Sequence, residues 1–172
     1  ERIPFWRRVG EAVHRHDCRF ILQLSHSGRQ QDVGGVENLG KKALSSTGQT
    51  ESFHGFECQA MTLEEIEETI ACFAAGARRA REAGLDGVEL HAANGYLITQ
   101  FLSSAINDRT DDYGGPLRQR ARFLLEVVAA IRAEVGADAL GLFRHRVGQH
   151  LAAGIHTVPA EQTRPAVKAG LD

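Results

Sequence analysis

No run of this chain approaches the ~18 consecutive apolar residues needed to span a bilayer, and its opening, ERIPFWRR, lacks the charged-then-apolar order of a secretory signal. A cytoplasmic setting without membrane contact is therefore expected. Cysteine is scarce: Cys18, Cys58 and Cys72 are odd in number and have no CxxC spacing. That excludes a disulfide framework or zinc knuckle and leaves three reduced thiols. The chain also has no basic stripe. Its 20 basic and 22 acidic residues are scattered, with a net charge of -2, which argues against nucleic acid as a partner. Neither GxGxxG nor GxxxxGK[ST] follows any predicted strand, so loops that cradle a dinucleotide or nucleoside triphosphate are unsupported.

What is present is ordinary globular composition, 172 residues with 42% hydrophobic and 24% charged, enough for one domain with a sizeable core. The pattern predicts a helix over Pro4 to His16, then an apolar strand from Phe20 to Leu24. Residues Ser25 to Ala60 are glycine-rich and almost without periodicity, and a structureless loop of that length usually serves function. Thr62 and Glu65 form a capping box for a helix from Leu63 to about Ala83. Its Ile66, Ile70, Phe73 and Ala77 recur at the spacing of a buried face, and Gly84 ends it. A strand at Gly87 to Leu90, a helix from Leu117 to Val135, a strand at Ala139 to Phe143 and a last helix from Val158 to Val167 follow.

Strands that alternate with long loops and helices must pair in parallel, because each is reached by a crossover. The expected class is α/β: a partial TIM (β/α)8 barrel showing about three β/α units of an incomplete barrel. Such barrels carry their chemistry on the loops after the strands. An open doubly wound sheet is the rival, and the missing glycine fingerprint disfavours it. The closing letters KAGLD echo EAGLD at 82 to 86, where a helix exit delivers a strand, and the chain begins at Glu1. Both ends are therefore expected to be truncated, with residues 1–172 the central portion of one domain.

Two loops carry candidate chemistry. Gln23 is a carboxamide in the apolar run FILQL, where a buried amide must find partners, in the protein or on a ligand edge. His26 and Arg29 lie just beyond on a glycine-containing turn and could meet an anion. After the second strand, HAANGYLITQFLSS supplies the imidazole of His91, the amide of Asn94 and the phenol of Tyr96 within six residues. That set can donate hydrogen bonds to a developing oxyanion and deliver a proton. His91 and Asn94 would share a side if the loop turns helically after the strand. The mixed charges of Asn107, Arg109, Asp111 and Asp112, with Tyr113, read as a self-paired structural turn. His14 and His16 read as surface residues. His145, His150 and His156 have no ligand spacing. No acidic ligand sits beside His26 and His91, so no metal site is expected.

The segments QLSHSGRQ at 23 to 30, HAANGYLITQFLSSAINDRTDDYGG at 91 to 115 and RARFLLEVVAAIRAEVG at 120 to 136 together resemble the Old Yellow Enzyme family of NADH:flavin oxidoreductases, from about Phe5 to Gly136. The resemblance implies an eight-stranded barrel, FMN as cofactor and NADH or NADPH as reductant. It further implies that Gln23 hydrogen-bonds the flavin pyrimidine, that His91 and Asn94 hold the substrate carbonyl or nitro oxygen, with His26 a further substrate-side residue, and that Tyr96 protonates the α-carbon. The implied reaction is reduction of an activated C=C bond of a small molecule, with hydride passing from the reduced flavin to the β-carbon. Self-association into a homo-oligomer is compatible with this reading.

The chain also departs from the family pattern. Pro116, Leu117, Arg118, Gln119 and Arg120 follow the double glycine where the family usually has Ser-Leu-Glu-Asn-Arg. In GLFRHR, Phe143 falls where a basic flavin-facing residue is expected. Arg144 is the cofactor-binding candidate one position later, and an offset of one residue in a strand reverses the face. The first-strand flavin contacts and the phosphate-binding segments of a full barrel are not among these residues. The alternative reading is thus a non-catalytic truncated remnant that does not bind flavin alone.

Overall fold

The computed structural model describes residues 2–31, 42–52, 55–136 and 140–144. The last helix expected at 158–167, and His145, His150 and His156, lie outside these residues. Helix α1 spans Ile3–His14, with Pro4 in its first turn, where a missing N–H costs nothing. Strand β1, Ile21–Leu24, follows. Between β1 and the next long helix lie a 3-10 turn at Gly28–Gln30 and two short strands, β2 at Ala43–Ser45 and β3 at Cys58–Ala60. The stretch expected to be structureless is therefore partly ordered. β2 and β3 pair in parallel, closed by Ala43 N–H to Glu57 O at 3.2 Å and Met61 N–H to Ser45 O at 2.8 Å. Periodicity missed them because each is three residues long, too short to show an alternation of apolar residues.

Helix α2, Leu63–Glu82, has both halves of its capping box: Glu65 N–H donates to Thr62 Oγ1 at 3.1 Å and Thr62 N–H to a Glu65 carboxylate oxygen at 2.8 Å. Strand β4 spans Gly87–His91, one residue longer than expected, and α3 spans Leu97–Leu102. The single helix predicted over 117–135 is interrupted at Ala121, giving α4, Leu117–Arg120, and α5, Arg122–Val135. Arg120 donates to Leu102 O and Gly115 O, tying the first segment to the preceding loop while α5 follows the core. Strand β5 is Leu140–Arg144.

The main sheet has the order β1-β4-β5, all parallel. Its covered face carries Leu24, Val88 and Leu90 against Ile66, Phe73, Ala77 and Ala80 of α2 and Phe123, Val127 and Ile131 of α5. Each large apolar side chain buried there contributes about 1.5–3 kcal/mol. Gly76 lets α2 approach, since a Cβ there would sit 3.2 Å from a Leu24 methyl. Below the strands, Asp86 accepts from Phe20 N–H at 2.7 Å, His14 Nε2 at 2.7 Å and Arg19 at 2.8 Å. Burial pushes this carboxyl up, but those three donors outweigh it and bring it down to about 2.

Alternation puts Gln23, Glu89 and His91 on the opposite face of the sheet. The expectation of a buried Gln23 is corrected here. The side chain is exposed, because only one face of β1 is covered by helices among the described residues. No helix among them is long and apolar enough to cross a membrane.

Candidate active site

His91 is the last residue of β4, and the chain reverses immediately after it. Asn94 and Gly95 both have positive φ, 57° and 72°, and Tyr96 N–H donates to Ala93 O at 3.1 Å. This is the pattern of a type I′ turn, for which Asn-Gly is a preferred pair. The helical turn expected to align His91 with Asn94 is therefore replaced by a tighter reversal, with the same outcome. Asn94 Nδ2 lies 3.4 Å from His91 Nε2, and the His91 and Tyr96 ring centroids are 4.9 Å apart. The three residues singled out after this strand converge.

The hydrogen bonding defines what they can do. Ala93 N–H donates to His91 Nδ1 at 3.3 Å, so a neutral ring carries its proton on Nε2. Nε2–H and the Asn94 amide are then two donors side by side, and neither accepts the other's proton. One oxygen placed against both would accept from both, the requirement for stabilising developing negative charge. Tyr96, beside the imidazole, offers a phenolic proton.

Two carboxamides that sequence reasoning missed hold this turn. Gln100, on α3, is fully buried. Its Nε2 donates to Gly95 O at 2.7 Å and Ser27 O at 3.2 Å, and its Oε1 accepts from Arg29 N–H at 3.1 Å and Ser45 Oγ at 2.9 Å. All four valences of the amide are satisfied, joining the loops after β1 and β4 to β2. A signal existed: a glutamine inside the apolar run YLITQFL must find partners if that face is buried. Gln30, from the 3-10 turn, donates through Nε2 to Asn94 O and Gly95 O, both at 3.1 Å. Nothing local in the sequence marks it.

The remaining predicted residues are placed differently. His26 accepts Gly28 N–H on Nδ1 at 3.0 Å, and its carbonyl receives Leu97 N–H at 3.0 Å. Its ring lines a separate cleft with Leu24, Cys72, Phe73, Gly76 and Arg79, and burial holds its pKa below the ordinary value. The ring contacts do not join it to the His91 cluster; its carbonyl does, through the residue that follows Tyr96. Arg29 donates to Gln49 O at 3.3 Å, on the segment after β2. Gln23 is the Cα partner of Glu89, two residues before His91.

Arg144 is the Cα partner of His91, whereas Phe143 pairs with Leu90.

The polar stretch before the double glycine is self-paired, as expected. Arg109 grips Asp111 through Nε at 3.0 and 3.1 Å and through a terminal nitrogen at 2.5 Å, and donates to Met61 O at 2.6 Å. Asn107 donates to Phe101 O and Tyr113 O, both at 2.7 Å. Tyr113 donates to Glu126 at 2.7 Å, and burial together with that carboxylate pushes its phenol up to about 12. Cys58 is buried, and Cys18 and Cys72 are exposed; all three are free thiols.

The model of the NADH:flavin oxidoreductase / NADH oxidase family matches residues 1–163. The chain belongs to this family. This family member is 42% identical over 147 residues to 12-oxophytodienoate reductase 1 of Oryza sativa subsp. japonica, a match covering 83% of this chain and 38% of the relative. It is 43% identical over 136 residues to N,N-dimethylglycine/sarcosine dehydrogenase of Chromohalobacter salexigens, covering 79% of this chain and 19% of that one. Among solved structures, morphinone reductase superposes with a TM-score of 0.72 at 33% identity, over 81% of this chain and 41% of that chain. The chain therefore spans less than half the length of these relatives.

Proposed function

We propose that this chain is part of an FMN-dependent ene-reductase, a set of β/α units of a (β/α)8 barrel that reduces activated C=C bonds of small α,β-unsaturated carbonyl or related compounds. The observation that carries the reading is the pair of N–H donors, His91 Nε2 and Asn94 Nδ2, held 3.4 Å apart beside a phenol at the carboxyl end of a parallel strand. The residues fit the cofactor, since an exposed carboxamide at Gln23 stands on the same open face of the sheet as His91. FMN, when bound and reduced by NADH or NADPH, supplies a hydride for the substrate β-carbon.

The chain's own residues do the rest in this proposal. Gln23 binds the flavin edge, and Arg144, the Cα partner of His91, is the second flavin-binding residue of the proposal. His91 and Asn94 orient the substrate oxygen and stabilise the negative charge that builds on it. Tyr96 delivers its proton to the α-carbon. His26 supports the site through its carbonyl, which receives the N–H of the first residue of α3.

The test is to follow the two half-reactions separately in the flavin-loaded protein. Removing one such donor costs about 3 kcal/mol in the barrier. His91→Ala is therefore expected to slow alkene reduction by about 100-fold while leaving flavin reduction by NAD(P)H nearly unchanged. Equal slowing of both halves would overturn the assignment, and absence of flavin binding by the wild-type chain would favour the non-catalytic alternative.

A further inference from the structure

We infer that Gln30 is a positioning residue for the donor site, a clamp that reaches from the loop after β1 to fix the turn after β4. This rests on the reading of His91 and Asn94 as the substrate-oxygen site. Both hydrogens of its Nε2 are spent on the turn, one on Asn94 O and one on Gly95 O, each at 3.1 Å. Gly95 O also accepts from Gln100 Nε2 at 2.7 Å, so both of its lone pairs are engaged by carboxamides from two different segments. The approach is close. A Cβ on Gly95 would lie 2.8 Å from Gln30 Nε2, and Gly95 has φ of 72°.

The purpose of such a clamp follows from the geometry. Asn94 has φ of 57°, a region an L-residue occupies at some cost, and its side chain is exposed. Nothing in its own side-chain packing keeps the amide beside His91 Nε2. The peptide groups on its carboxyl side are what can hold it, and Gln30 binds both. Gln100 is buried and serves several loops at once, whereas the Gln30 carboxamide, among the described residues, bonds this turn. Gln30 thus couples the first β/α unit to the precision of the second. Errors of about 1 Å in such placement cost about 100-fold in rate.

The test is Gln30→Met in the full chain, which keeps the length of the side chain and removes both donors. Amide hydrogen exchange at Tyr96 is expected to accelerate about tenfold while amides in the middle of α5 keep wild-type rates. In the flavin-loaded protein, kcat for alkene reduction is expected to fall about tenfold or more, with KM and the flavin-reduction rate little changed. Gln30→Glu turns the donors into acceptors facing two carbonyls. It should loosen the turn further at neutral pH and recover part of the protection near about pH 4, where a carboxyl again carries a proton.

Unchanged Tyr96 exchange in Gln30→Met overturns the clamp. So does equal acceleration in α5, which would make Gln30 a residue of general stability. If the wild-type protein reduces no alkene but Tyr96 exchange still responds, the ene-reductase reading fails and the clamp stands.

Discussion

Two histidines in this molecule follow parallel strands and carry the same local device. His26 accepts the N–H of Gly28 on Nδ1 and His91 accepts the N–H of Ala93 on Nδ1, at 3.0 and 3.3 Å. In both, a backbone donor two residues ahead leaves Nε2 to carry the proton of the neutral ring. The surroundings then separate them. His26 lies with Leu24, Cys72 and Phe73 in a cleft beside α2, where burial holds its pKa below the ordinary value. His91 ends its strand on the open face of the sheet, beside the amide of Asn94 and the ring of Tyr96. A tautomer can be set locally, but whether the free N–H meets a partner that makes it chemically useful depends on what the rest of the fold brings to it.

Each histidine turn contains a glycine with positive φ, and substitution there is the strongest way to separate them. Gly28→Ala is expected to cost about 2–3 kcal/mol in denaturant unfolding. Its φ is 62°, and the new Cβ would overlap the Gln100 carboxamide, which is fully buried and fixed by four hydrogen bonds. Gly95→Ala should cost less, about 1–2 kcal/mol, because the atom in its way is the end of the Gln30 side chain, which can move at the loss of its hydrogen bonds to the turn. The reverse order would show that the turn after β4 is the stiffer of the two.

The smallest effect is in pH dependence. A base held below its ordinary pKa by burial binds its proton more weakly folded than unfolded. The stability it confers is thus full above about 6.5 and is lost as pH falls below that value. His26→Asn keeps an acceptor for Gly28 N–H and removes the titration. The variant should lose less stability than wild type between about pH 7 and about pH 5. Identical slopes in wild type and variant would mean that groups other than His26 govern this range.

Much of this was legible beforehand. The three-to-four spacing of Ile66, Phe73 and Ala77 placed α2 against the sheet, and Thr62 with Glu65 marked its start, because buried faces and caps are local patterns. His91, Asn94 and Tyr96 were legible as a set from their place after a strand. Their route to one another was not, since Asn94 and Gly95 reverse the chain in a tight turn where a helical one was expected. The strands β2 and β3 escaped notice because each is three residues long, too short to show an alternation of apolar residues. The pairing of Arg144 with His91 was not legible, because strand register depends on the neighbour, which a motif aligned by letters does not contain.

The sequence by itself determined the covered face of the sheet and the chemical groups at the end of β4, because hydrophobic periodicity and residue type act over a few neighbours. Only the tertiary structure decided that Gln30 and Gln100 hold the turn that brings His91, Asn94 and Tyr96 together. Those contacts join residues more than sixty positions apart for Gln30, and across three segments for Gln100. A hydrogen bond of that kind is set by where the packed strands and helices bring two loops together, and it leaves no periodic trace in the chain.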